Sequence, residues 1–263
     1  MERWAKSVPL KRAHKKAFVE VNDKMCSNSV FDTMMSGTTG ITACLDQENL
    51  LVANCGDSRC VVAVDLGDDK LTAQPLSKDQ TPHRRDELRR VKRAGAMVCN
   101  MAQLEGAEPM HENWSLTLGD VIDDGGDPPR LFLRGKVYPG VAFTRSIGDA
   151  LAQGIGVFAE PEMSELTLNS QHKFLILASD GIWEFITNQE AVDILEKNRE
   201  SPLRACHALV CFSTFEREAR ESLFFFLPLS LFLSTYTHTH TQHRYKKRTN
   251  SGYSTKSELM TLL

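Results

Sequence analysis

Three short runs between residues 41 and 64 restrict most strongly what this chain can fold into. Residues 41–45, 50–54 and 60–64 are rich in Thr, Val, Ile, Ala and Cys, with turn residues at 46–49 and at Gly56-Asp57-Ser58 between them. Such side chains fit half-buried or buried pleated surfaces. Runs this short, joined by turns this tight, predict a meander of antiparallel strands. Strand signals resume at 131–134, 163–168 and 173–178. Helical spacing marks the first segment, where Pro9 suits a first turn and Ala13, Ala17, Phe18 and Val21 recur on one face. A charge-rich stretch at 82–94, ended by Gly95, predicts a second helix. A third is expected after Asn188 as N-cap, through Ala191, Val192, Ile194 and Leu195, and a fourth from Ser201-Pro202 to about Arg220. Residues 99–130 read as loop, with Gly125-Gly126-Asp127-Pro128-Pro129 the clearest break. Sheet elements first, interleaved with a few helices, predict an α+β architecture rather than repeating βαβ units.

At 263 residues the chain can bury a real core. Its 41% hydrophobic and 25% charged content are those of an ordinary soluble globular protein. A net charge of −3 gives no support for nucleic-acid or anionic-membrane binding through bulk electrostatics. The seven cysteines (Cys26, Cys44, Cys55, Cys60, Cys99, Cys206, Cys211) are scattered without a CxxC pair. They read as small buried hydrophobes in a reduced intracellular setting, cytoplasmic or nuclear. The amino terminus is charged and lacks the apolar core of a secretory signal. The basic face of Lys11, Arg12, Lys15 and Lys16 is expected to be solvated.

Residues 174–184, FLILASDGIWE, carry the chemistry-bearing pattern. A continuous apolar run bounded by a glycine turn predicts a strand buried on both faces. At its end it delivers Ser179, Asp180 and Gly181. A carboxylate at the rim of a core is costly unless a cation or hydrogen bonds offset its desolvation, and Gly181 would let the backbone turn beside it. An ordinary Asp-Gly turn after a strand is an equal reading of this segment alone.

Taken in order, Ser36-Gly37-Thr38-Thr39, residues 52–59 (VANCGDSR), 76–79 (LSKD) with Pro82, 142–149 (AFTRSIGD) and 178–184 (ASDGIWE) resemble the metal-dependent protein serine/threonine phosphatases of type 2C. The resemblance covers roughly residues 5 to 210. Residues 124–149, including Asp127-Pro128-Pro129-Arg130-Leu131 and Tyr138-Pro139-Gly140, look closer to a plant and protist subgroup that can be fused to cyclic-nucleotide-binding and kinase modules. The resemblance implies a four-layer α-β-β-α sandwich of two antiparallel sheets flanked by helices. It also implies two Mg²⁺ or Mn²⁺ ions held by aspartates and waters, and a metal-activated hydroxide attacking phosphoserine or phosphothreonine of a phosphoprotein. Carried over by position, Asp180 with Gly181 is a metal site, and Asp79 and Glu184 help hold a weaker third ion. Ser36, Gly37, Thr38, Thr39, Gly56, Asp57, Ser146, Gly148 and Asp149 are read as structural, with Asp57 and Asp149 accepting backbone N–H bonds to fix turns. His83 is expected at the surface. No residue is assigned as catalytic, and a monomer is expected, with no nucleic-acid partner and no membrane.

The family's Asp-Gly-His-Gly segment and its closing Asp-Asn motif do not occur in this sequence. A partial sandwich lacking amino- and carboxy-terminal strands is therefore expected over 1–221. A catalytically inactive relative that binds phosphoproteins is the alternative to an enzyme. Residues 222–234 use only Ser, Leu, Phe and Pro, and TYTHTHT follows at 235–241. This composition resembles translated non-coding sequence, so 222–263 is expected to be a disordered tail, too short in its apolar run to span a bilayer.

Overall fold

The computed structural model describes residues 7–220, except 31, 68, 112–113, 115–117, 121 and 123–126. The tail expected from 222 and the Gly125-Gly126 break lie outside the described residues. In chain order the elements are α1 (Ser7–Ser27), β1 (Gly37–Thr38), β2 (Gly40–Asp46), β3 (Asn49–Cys55), β4 (Arg59–Val64), β5 (Thr72–Pro75), α2 (Arg85–Arg93), β6 (Met97–Cys99) and α3 (Met101–Leu104). They continue with β7 (Arg130–Phe132), β8 (Pro139–Val141), β9 (Ile147–Gly148), α4 (Ala150–Gln153), β10 (Glu162–Thr167), β11 (His172–Ala178), α5 (Asp180–Trp183), α6 (Asn188–Lys197) and α7 (Pro202–Arg220).

Two three-stranded antiparallel sheets, ordered β10-β3-β2 and β11-β4-β5, form the centre. In the first, Ala53 of β3 stands opposite Thr42 on one side and Met163 on the other. In the second, Val61 of β4 stands opposite Ile176. Alternation along β3 and β4 sorts their side chains into layers. Leu50 and Val52 meet Cys60, Val62, Leu175 and Leu177 between the sheets. Val61, Ala63, Phe174 and Ile176 point the other way, onto Ala191, Val192 and Leu195 of α6 and Ala205 and Leu209 of α7. On the far side, Ala53 and Cys55 pack against Phe18 and Met25 of α1. The result is a helix-sheet-sheet-helix stack, as the resemblance implied. β11 is buried on both faces over nearly its whole length. β2, at the edge of its sheet among the described residues, has only half-buried and exposed positions.

Several local readings are corrected. The second helix starts at Arg85, because residues 81–84 form a turn and Arg84 is extended. The expected loop at 99–130 contains α3, closed by a reciprocal capping box between Asn100 and Gln103. Thr187, not Asn188, caps α6, again with a capping box to Glu190. The basic face of α1 is not merely solvated: Lys11 pairs with Glu165 (2.8 Å) and Lys15 with Glu160 (2.6 Å), tying the helix to β10 and its approach. Of the cysteines, Cys55, Cys60 and Cys99 are buried, Cys211 is exposed, and all seven are free thiols.

Candidate functional site

β3 and β4 are joined by a turn at residues 56–58, and this turn builds one wall of the site. Gly56 has φ of +117°, and a Cβ there would overlap Thr39. Its N–H donates to Gln80 Oε1 at 2.6 Å, and its carbonyl accepts from Gln80 N–H at 3.0 Å. Thr39 Oγ1 lies 3.0 Å from Ser58 Oγ. These contacts lock the segment containing Asp57 to the segment containing Asp79. Asp180 and Glu184 come from the other side, where β11 ends and Ser179 opens the single-turn helix α5.

Asp57, Asp79, Asp180 and Glu184 therefore gather at one edge of the sandwich. The electrostatic signature is on Asp57. Its half-buried carboxyl is pushed up to about 7, first by burial and then by the negative charges of Asp180, Asp79 and Glu184. Asp57 is therefore the carboxyl of this edge on which burial and the neighbouring charges act together, against a backbone hydrogen bond that favours its charged form. Asp180 is exposed, so the desolvation expected there falls on Asp57 instead. Gly181 is helical, and a Cβ on it would meet only Ser179 Oγ at 3.7 Å, so the site does not require glycine there for a turn.

Asp79 is buried at 8% exposure and has a distinct environment. Arg59 Nε donates to its Oδ1 at 2.8 Å and Nη2 to its Oδ2 at 2.6 Å. Burial raises the Asp79 carboxyl and these two bonds pull against that rise. With both oxygens on one guanidinium, Asp79 first serves as Arg59's counter-charge, a role the resemblance did not imply. Arg59 also donates to Asn188 Oδ1 at 2.9 Å and lies 5.1 Å from the ring centroid of Trp183. A Cβ on Gly119, which has φ of +101°, would overlap the Asn188 amide. One buried cation thus ties the turn at 56–58, α5 and the first residue of α6 together.

The motif residues read as structural meet at a second junction. Gly37 and Thr38 pair with Gly148 and Ile147. Gly148 has φ of +91°, and a Cβ there would lie 2.6 Å from the Ser36 carbonyl oxygen. Asp149 sits at φ +48°, in the left-handed region. Its backbone N–H donates to Ser36 O at 2.9 Å, and the next two N–H groups donate to Thr33 and Met34 carbonyls. These backbone bonds hold the turn, and burial raises the Asp149 carboxyl against a hydrogen bond from Ser146. His83 is corrected from the surface to the interior: it is 9% exposed, and Nδ1 is 2.9 Å from the Trp114 carbonyl oxygen.

A third acidic group is legible only in three dimensions. Asp86, Glu87 and Glu162 each offer an oxygen within 4.8 Å of the others, a spacing that could hold a metal ion. Three arginines already occupy them. Arg84 pairs with Asp86 and Glu162, Arg90 with Glu87, and Arg145 with Glu87 and Glu162. Phe158 is flanked by the Arg90 and Arg145 guanidiniums at 4.0 and 4.8 Å from its centroid. Equal numbers of carboxylates and guanidiniums leave this cluster internally neutralised.

The donors at that edge are all oxygen, which suits hard divalent cations. A cation among them would offset the repulsion that adds to burial at Asp57. The sign follows by linkage. A carboxyl raised from 3.8 to about 7 on folding makes the metal-free protein lose stability as pH rises across that interval. Asp57→Asn is therefore expected to stabilise the metal-free protein at pH 8 relative to wild type and to leave it unchanged near pH 3.5. Melting curves at the two pH values check this; a destabilised variant at pH 8 would refute the repulsion.

Comparisons with known proteins bear on the family and the fold. "Probable protein phosphatase 2C 35" of Arabidopsis thaliana is 44% identical over 198 residues, covering 75% of this chain and 55% of that protein. "Probable protein phosphatase 2C 75" of Oryza sativa subsp. japonica is 31% identical over 186 residues, covering 71% of this chain and 38% of that one. The chain thus spans about half or less of the curated relatives it matches. Among solved structures, a serine-threonine phosphatase 2C from Toxoplasma gondii superposes with a TM-score of 0.63 at 22% identity, covering 81% of this chain and 63% of that one. A C. elegans sex-determining protein superposes with a TM-score of 0.57 at 20% identity, covering 77% of this chain and 42% of that one. Both neighbours share the fold. The sequence model of the family described as Protein phosphatase 2C, a metal-dependent family, matches residues 3–215, and the chain belongs to that family.

Proposed function

We propose that the acidic edge around Asp57 and Asp180 serves the metal-dependent hydrolysis of phosphoserine and phosphothreonine in phosphoproteins. The observation that carries this reading is the convergence on Asp57 of Asp79, Asp180 and Glu184, whose charges add to burial in raising the Asp57 carboxyl and would be offset by a divalent cation among them. Oxygen donors favour Mg²⁺ or Mn²⁺ over softer metals. A bound cation would supply charge neutralisation for phosphoryl oxygens and acidify an attacking water. The chain's own residues supply placement. Asp180 is aimed outward from the end of a fully packed strand, and its Oδ1 accepts from the Gly181 N–H at 2.8 Å. Arg59 fixes Asp79 and steadies α5 through Trp183. Trp183 Nε1 in turn donates to the Ala178 carbonyl at 2.8 Å, fastening α5 back onto the strand that carries it. The non-catalytic alternative lacks a comparable observation in its favour.

The test is phosphate release from a phosphoserine peptide as Mn²⁺ or Mg²⁺ is added, alongside calorimetric binding of Mn²⁺ alone. Metal-dependent release is expected, with Asp180→Asn weakening Mn²⁺ binding by at least about tenfold. Release indifferent to metal, or Mn²⁺ binding untouched by Asp180→Asn, would overturn the reading.

A further inference from the structure

We propose that the solvent face of α2 is a docking surface for an acidic segment of the phosphoprotein, beside the residue being dephosphorylated. This rests on the phosphatase reading above. α2 buries Leu88, Val91 and Glu87 against the body of the fold. Arg85, Arg89 and Arg93 recur at intervals of four and are all exposed. Positions four apart lie on one helical face, so the three guanidiniums form a stripe about 12 Å long at 1.5 Å per residue.

Their lack of partners distinguishes them from the other arginines of this region. Arg84, Arg90 and Arg145 are committed to Asp86, Glu87 and Glu162. Asp86, the exposed acid on α2, is taken up by two bonds from Arg84, at 3.2 and 2.6 Å. Glu87 is turned inward at 2% exposure. Among the described residues, Arg85, Arg89 and Arg93 have no hydrogen-bond or ion-pair partner. Among the described residues this positive charge is uncompensated, on a molecule whose net charge is −3.

Position selects the occupant. Arg85 follows Asp79 by six residues, so it lies within about 20 Å of it at full extension. An extended peptide rises about 3.3 Å per residue. A substrate held at the acidic edge could then bring side chains onto the stripe within about ten positions of its phosphorylated residue. A stripe of three cations on one short helix suits a few glutamates or aspartates better than the longer run of phosphates in a nucleic acid. Arginine's planar fork also matches carboxylates in pairs.

The test compares two fluorescein-labelled peptides of equal length, each with one phosphoserine, carrying either glutamates or glutamines at positions four to ten from it. Anisotropy with the full chain at low salt and without added metal is expected to give about tenfold tighter binding of the glutamate peptide, since several exposed pairs each add modestly. Combined R85E/R89E/R93E substitution is expected to bring the affinity ratio to one or reverse it. R85Q/R89Q/R93Q should bring it close to one, and circular dichroism verifies that both variants fold. Equal binding of the two peptides by wild type, or a preference that survives both variants, overturns the docking surface. A single-stranded oligonucleotide or phosphatidylserine vesicle that displaces the glutamate peptide at equal charge concentration also overturns it, by reassigning the stripe. Acidic preference without any phosphate release at added Mn²⁺ supports the docking surface and counts against the phosphatase reading instead.

Discussion

Replacing Arg59 by alanine is expected to cost the fold about 3–5 kcal/mol, because it strands a buried carboxylate. Asp79 would lose both of its charge-assisted bonds at a site only 8% exposed. Asn188 would lose its donor, and Trp183 would lose the cation over its ring. Urea denaturation measures the loss as a shift in midpoint at constant slope. The double variant Arg59→Met/Asp79→Leu separates causes, since removing both charges often proves far less costly than removing one. Recovery of most of the lost stability is expected there. A loss below about 1 kcal/mol in Arg59→Ala would mean that water reaches Asp79 freely and that the pair is not a keystone.

Glu87→Ala is expected to cost a similar 3–5 kcal/mol. The Glu87 carboxylate is 2% exposed and receives Arg145 at 2.8 Å, Arg90 at 2.5 Å and Thr144 Oγ1 at 2.5 Å. Burial raises this carboxyl, but bonds from Arg145, Arg90 and Thr144 outweigh it and hold the group at about 2, below the usual 4.5. The sign is that of a depressed acid. Its stabilisation is complete above about pH 4.5 and disappears as pH falls toward 2. The deficit of Glu87→Ala should therefore shrink when melts at pH 7 and pH 2.5 are compared. An equal deficit at both would assign the effect to lost packing rather than charge.

The central strands were legible because their signal is local. β3, β4 and β11 are unbroken apolar runs, and nothing competes with the strand reading at their length. β1 and β9 were invisible for the opposite reason: two residues, Gly37–Thr38 and Ile147–Gly148, carry no period. The choice between Thr187 and Asn188 as cap also exceeds local information. Both residue types cap helices, and Asn188 loses the role because Arg59, far away in sequence, holds its side-chain oxygen. Asp57 illustrates the same limit at the site. By itself it is a turn residue, and its elevated affinity for a proton comes first from burial and then from carboxylates brought in by distant strands and helices. The family resemblance singled out Asp180 as a metal aspartate and Asp79 with Glu184 as holders of a weaker third ion. It gave no account of the guanidinium that stands between Asp79 and a simple ligand role.

The sheet order has a consequence for how the chain reaches this state. β3 and β4 are neighbours in sequence but lie in different sheets, and each also pairs with a strand made roughly a hundred residues later. Neither sheet can close until β10 and β11 have emerged, so native contacts of high sequence separation must form late and slowly. Until then Leu50, Val52, Val61 and Val62, almost fully buried in the finished molecule, face solvent on a growing chain. During synthesis, the first half of this protein lacks the partners that complete both of its central sheets.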